Sequence, residues 1–211
     1  MTLSQYFICF IIYSFLGWVY ESLFYTFQFK RPVNTGFLHG CICPIYGLAC
    51  IANVVVLGNV RNNALIFIIS MLMISIIEYV VSYTLEYIFD KRWWDYSDRP
   101  FNIGGYICLE FSLLWGVGAL LMVKAVHPAI AALVDIVPPL VGFILMCLLY
   151  AVYAADVVAT GISASDLARE LDALEKVADS MHAVSDAMTE ILGTTAMDMD
   201  QKMDESRLQL K

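Results

Sequence analysis

Five carboxylates interrupt the apolar stretches of this chain: Glu21, Glu78, Glu86, Glu110 and Asp156. An ionised carboxylate at mid-membrane costs at least about 2.5–3.5 kcal/mol even on the insertion scale, so such groups face a protein interior or water. The chemistry open to them is the binding of a cationic or hydroxylated ligand, or the relay of protons. The competing reading is structural: the acids accept hydrogen bonds from Arg31, Arg92, Arg99 and loop backbone, and lock a helix bundle. Helical spacing groups them. Glu78, Ser82 and Glu86 follow i, i+4, i+8 and share one face, with Glu78 about 12 Å deeper than Glu86 by helical rise. Ser14, Trp18, Glu21 and Tyr25 follow i, i+4, i+7, i+11 and share another.

Two loops carry the remaining polar candidates. Loop one, over residues 34–47, holds Asn34, His39, Cys41, Cys43 and Tyr46. Its Gly36, Gly40 and Gly47 permit backbone turns that a side chain forbids, and Pro44 restricts Cys43 to extended shapes. Such a segment, entering a membrane span, exposes backbone groups to a cavity, as broken helices do in transporters. His39, Cys41 and Cys43 make an incomplete zinc set with no second Cys/His pair nearby, so neither a metal nor another cofactor is expected. Loop two, over residues 92–105, packs Trp93, Trp94, Asp95, Tyr96 and Asn102 among arginines and turn residues. Its rings can clamp a ligand or rest at lipid headgroups, and Asp95 and Asp98 can pair with Arg92 and Arg99. The candidate ligand-binding set is therefore Glu21, Glu78, Glu86, Glu110, Trp18, Asn34, Tyr46, Trp94, Asp95, Tyr96 and Asn102, with no catalytic residue assigned.

The elements that must position these groups follow from composition. Of 211 residues, 60% are apolar and 15% charged, and mean hydropathy is +0.72. Soluble domains run roughly 45–50% apolar and about 25% charged. The balance excludes an ordinary cytosolic enzyme, a disordered regulator and a basic nucleic-acid binder. The net charge of −8 is concentrated in the C-terminal part, where residues 157–211 hold 5 basic against 11 acidic residues. The six cysteines lie mostly in apolar runs and read as small apolar residues rather than a disulfide framework.

A spanning helix needs about 20 apolar residues. The expected spans are Leu3–Phe27, Cys41–Leu57, Ala64–Phe89, Tyr106–Val123 and Pro138–Val158. The second is short, and residues 31–57 read as either a full or a re-entrant span. The first lacks a basic n-region and a small-residue cleavage site, so it is expected to persist as a helix. The fold class is all-α: a polytopic membrane bundle of about five helices over 1–160, an amphipathic helix over 161–193 and a disordered tail over 194–211. The loops at 28–40 and 90–105 carry five Lys/Arg against two at 58–63 and 124–137. The positive-inside rule then puts the N-terminus outside and the C-terminus in the cytoplasm.

Leu167, Leu171, Leu174, Ala178, Met181, Ser185, Met188 and Leu192 alternate by four and three, a heptad seam. A helix with one apolar stripe buries it, and a second copy of the chain, this chain's own inner loops and the membrane surface compete as partners. The many acids disfavour the membrane surface.

Phe15–Glu21, Asn34–Gly47, Glu78-Tyr79 with Leu85-Glu86, Trp93–Ser97 with Phe101-Asn102 and Ile107–Leu109, and Trp115-Gly116 occur in an order that resembles the bacterial family of type IV ABC-transporter permeases. The similarity spans roughly residues 10–128. It implies a multi-pass inner-membrane protein of transport function. Cys41 departs from the family pattern, which has Pro there. The chain has no phosphate-binding loop, so the expectation is a permease-like subunit, not itself an enzyme, that moves a small solute, forms a homo-oligomer in the bilayer and works with a separate ATPase, without nucleic acid. An intramembrane enzyme acting on a lipid-linked substrate and a scaffold acting through the coiled-coil tail are the alternatives.

Overall fold

The computed structural model describes residues 1–209, with side chains described for all of these but 186 and 192–209. Contacts divide the chain into two compact units, Met1–Ala164 and Ser165–Lys211. The architecture is helical, in the order α1 Leu3–Phe29, α2 Pro44–Leu57, α3 Asn63–Phe89, a two-stranded hairpin (β1 Asn102–Ile103, β2 Ile107–Cys108), α4 Leu109–Leu121, α5 His127–Asp135 and α6 Pro139–Gln209.

Each start has a local cause. Thr2 caps α1 in a reciprocal capping box with Gln5, and the Asn62 side chain accepts the Ala64 and Leu65 N–H groups at the head of α3. Pro44 opens α2, where its missing N–H costs nothing. Both long helices end on a left-handed residue, Lys30 at φ 52° and Asp90 at φ 53°. The hairpin turn uses Gly104 at φ 61° and Gly105 at φ 76°, a conformation that suits glycine.

Among the described residues, four helices are long and apolar enough to cross a bilayer: Leu3–Phe29, Asn63–Phe89, Leu109–Asp135 and Pro139–Ile191. With its 14 residues α2 spans about 21 Å, short of a hydrocarbon core of about 30 Å. The span Leu109–Asp135, expected to end at Val123, corrects the sequence expectation of a loop over 124–137. The helix continues through a π-helical turn, Met122–Val126, into α5. Pro128 supplies the reason: it has no N–H to return to the Lys124 carbonyl, and the wider turn absorbs the missing bond.

In the first unit α1 packs mainly on α2 and α3 on α4, while α2 also touches α3. The seams are made of small and polar residues. Ser14, Ser70, Ser75, Ser82 and Ser112 are buried, whereas Phe24, Ile76, Val117 and Leu148 are exposed. This inversion of the soluble pattern fits a lipid surround, in which close backbone approach and interhelical hydrogen bonds hold helices together. Ser75 donates to Ser112 Oγ at 2.7 Å across α3 and α4. Gly17 lies under the Tyr46 ring, and Gly47 lies against Ser14 and the Phe10 carbonyl, so a Cβ at either would collide. Gly47 is thus a packing residue inside α2; of the three loop-one glycines only Gly36, at φ 98°, takes the turn conformation expected of all three. An apolar cluster of Ile8, Cys9, Tyr13, Val54, Met122 and Val134 joins α1, α2 and the α4–α5 region. Tyr13 Oη lies 2.7 Å from His127 Nδ1 there.

In the second unit, i,i+4 pairing of Lys176 with Asp172 at 2.8 Å accompanies exposed Leu174, Met181 and Met188 on the heptad seam. The backbone is helical to Gln209. The tail expected over 194–211 falls on residues whose side chains lie outside the description, with 210 and 211 outside it altogether.

Candidate functional site

A cavity of about 890 Å³ opens between α1, α2, α3 and α4 and is bounded by both loops. Its polar lining includes Glu21, Asn34, Tyr46, Glu78, Trp94 and Tyr96, six of the sequence-derived candidates.

Glu78 is 5% exposed. Its Oε1 accepts the Tyr96 hydroxyl at 3.1 Å and its Oε2 accepts Trp115 Nε1–H at 3.2 Å. Both partners are neutral, and no Lys, Arg or His lines the cavity. Tyr96 descends from loop two and stacks on Phe111, centroids 4.8 Å apart. Trp115 meets Tyr46 edge to face at 5.7 Å. Glu21, on α1, is half-buried, and its Oε2 accepts the Cys43 thiol at 3.6 Å.

Loop one is stitched to its surroundings. Trp18 Nε1 donates to Asn34 Oδ1 at 2.6 Å, and the Ser22 and Thr35 hydroxyls lie 2.9 Å apart. The Cys43 N–H reaches the Ser14 carbonyl at 3.0 Å. From α6, Asp156 Oδ2 accepts the Gly40 N–H at 3.0 Å, and Thr160 Oγ1 sits 2.9 Å from His39 Nδ1. Trp18 is therefore a support for Asn34 rather than part of the wall, and Asp156 is a clasp.

Loop two is held by arginine. Arg92 Nε donates to Glu86 at 2.8 Å, Nη1 donates to the Gly104 carbonyl at 3.1 Å, and the guanidinium lies 4.7 Å over the Tyr106 ring. Arg99 Nη1 donates to Glu110 at 3.3 Å. Asn102 Nδ2 donates to the Ser97 and Arg99 carbonyls at 3.1 and 2.7 Å. Asp95 Oδ1 accepts the Ser97 hydroxyl at 2.6 Å and its N–H at 2.9 Å. These Ser97 bonds, with Arg92 nearby, hold the Asp95 carboxyl below the usual aspartate range. Glu86, Glu110, Asp95 and Asn102 thus lie outside the cavity wall and brace the loop.

Asn53 is a wall residue that escaped the sequence reading, and Cys43, Trp93 and Trp115 are wall residues outside its candidate ligand set. Tyr46, Cys50 and Asn53 follow i, i+4, i+7, so a lone amide in helical register with a chosen tyrosine was the available signal. Among the described residues no group of three or more His, Cys, Asp or Glu is placed to hold a metal ion. His39 and Cys43 engage Thr160 and Glu21, while Cys41 is exposed.

Residues 8–161 match the family model described as Putative ABC-transporter type IV. No curated protein and no solved structure gave a significant match. The chain belongs to this family of multi-pass membrane proteins.

Proposed function

We propose that this family member is the membrane subunit of a transporter, holding a small solute in the cavity between Glu21 and Glu78 while a separate ATPase acts on the inner loops. The observation that carries the reading is the cavity itself: about 890 Å³, within the range of small-molecule sites, with buried Glu78 and half-buried Glu21 among aromatic walls. Structural acids of a bundle pair with cations, as Glu86 and Glu110 do. Glu78 pairs with neutral donors beside open volume.

The excess of Lys and Arg over 28–40 and 90–105 supports a cytoplasmic position for both loops, and for the cavity mouth with them. That is where an ATPase engages a permease. The chain lacks a phosphate-binding loop, so hydrolysis belongs to the partner and this subunit is not itself an enzyme. Few helices per copy make a thin pathway, and the heptad seam over Leu167–Leu192 supplies a means of pairing two copies as a coiled coil.

The test uses inverted membrane vesicles from cells making the full chain or its Glu78→Gln variant, incubated with a cell extract with and without ATP. The expected result is at least one solute moved in an ATP-dependent way by the wild type and not by the variant. Identical solute profiles with equal membrane levels of the two proteins overturn the reading.

A further inference from the structure

The cavity holds a mismatch between donors and acceptors that names its ligand class. Asn53, on α2, is 1% exposed and lines the cavity. Its Nδ2 donates to the Ala49 carbonyl at 2.7 Å. That bond fixes the amide orientation, because a carbonyl accepts and only the nitrogen can donate. Asn53 Oδ1 is then left buried without a hydrogen-bond partner. An orphaned buried acceptor is costly, and a native structure keeps one where something else satisfies it.

Four donors on the cavity wall are committed. Tyr96 Oη and Trp115 Nε1 serve Glu78, Trp94 Nε1 serves the Tyr106 carbonyl, and the Cys43 thiol serves Glu21. The acceptors have capacity to spare. Glu78 takes one described bond on each oxygen, and a carboxylate accepts about four. A ligand that engages Asn53 Oδ1 and Glu78 must therefore donate. No basic side chain lines the wall, while two carboxylates do. The remaining wall is aromatic and aliphatic, with Tyr46, Trp93 and Trp115 offering ring faces or edges and Ile74, Val81 and Leu114 offering apolar contact. Aromatic faces attract cations.

We infer that the cavity binds a protonated primary or secondary amine carried on an apolar body, its N–H groups donating to Asn53 Oδ1 and the Glu78 carboxylate. The inference rests on the cavity reading above and adds the ligand's charge and its donors. A quaternary ammonium would satisfy the charge and the rings but has no N–H for Asn53. A carboxylate would bring only acceptors to Asn53 Oδ1 and to the two wall carboxyl groups. The requirement for N–H groups therefore separates this assignment from a general cation site.

The experiment uses the full chain in lipid nanodiscs and follows tryptophan fluorescence, since Trp93, Trp94 and Trp115 line the cavity. Three probes share an aromatic body: phenethylamine, its N,N,N-trimethyl derivative and 3-phenylpropionate. The expected order is phenethylamine tightest, the trimethyl derivative about tenfold weaker for the lost charged hydrogen bonds, and phenylpropionate without saturable binding. Asn53→Leu is expected to narrow the gap between the amine and its trimethyl derivative, leaving the part that the Glu78 bonds supply. Equal affinities of these two probes for the wild type overturn the donor requirement, and that comparison needs no variant to fold. Tightest binding of phenylpropionate overturns the cation assignment and leaves the cavity reading standing. Saturable binding of none of the three, with unlabelled nanodiscs as baseline, overturns both.

Discussion

Glu78 and Glu86 stand two turns apart on one face of α3 and have opposite surroundings. Glu86 meets the Arg92 guanidinium at 2.8 Å, with both side chains partly exposed. Glu78 is 5% exposed and meets only a phenol and an indole. The first charge is neutralised inside the chain, so its pairing ties loop two to α3 and asks nothing of a ligand. The second meets neutral dipoles beside an open volume and keeps acceptor capacity available. Face, residue type and spacing are the same; what differs is how far down the helix an arginine can reach. A carboxylate within reach of an arginine is a brace; under the proposed function, one beyond that reach is the binding group.

Replacing Glu78 with Leu breaks the comparison most severely. It strands the Tyr96 hydroxyl and the Trp115 N–H, each costing about 1–3 kcal/mol when buried and unpaired. The expected outcome is a clear fall in thermal stability in detergent together with loss of amine binding. Glu86→Leu is expected to leave binding in place and to raise only proteolysis within residues 90–105. Equal effects at the two positions would erase the distinction.

Gly17→Val comes next. Its Cβ would enter the Tyr46 ring, and overpacking of this kind costs about 1–3 kcal/mol. Because Tyr46 forms the cavity wall, binding and melting temperature should fall together, and a variant with unchanged binding would separate the wall from the α1–α2 seam.

Asp156→Ala sharpens the brace class. It removes the acceptor of the Gly40 N–H and a partner of Thr160, worth about 1 kcal/mol. Hydrogen exchange over residues 36–43 should rise, with little change at loop two.

The smallest effect is the pH response of loop two. The Asp95 carboxyl is held below its ordinary value chiefly by Ser97. Its contribution to loop order is complete above the ordinary aspartate pKa of about 3.9. It is lost as pH falls through the lower folded value. Proteolysis of loop two should therefore stay flat down to about pH 4 and rise below it, and Asp95→Asn should lose this dependence.

The helices and their class were legible because 60% apolar composition and long unbroken runs leave the backbone few alternatives in lipid. Glu21, Asn34, Tyr46, Glu78, Trp94 and Tyr96 were legible because each is a polar or amphipathic residue at a span or its entry. The pairing of Asp95 with Arg92 was also open to the sequence, whereas the bracing role of Asn102 was not, because its partners are the Ser97 and Arg99 carbonyls, which no spacing rule orders. The continuation of the fourth span to Asp135 was hidden by Lys124 and Pro128, both ordinary loop signals; Lys124 Nζ instead donates to the Val60 carbonyl at 3.0 Å.

Taken alone, the residue order determined a membrane bundle, the depth of its acids along each helix and the asymmetry of positive charge across it, since these depend only on local composition and the rise of a helix. Tertiary structure decided which acids meet arginine and which meet open space, that Asn53 Oδ1 is left without a donor, and that Gly47 packs instead of turning. Those outcomes depend on distances between residues far apart in the chain, which arise only when separate helices come together.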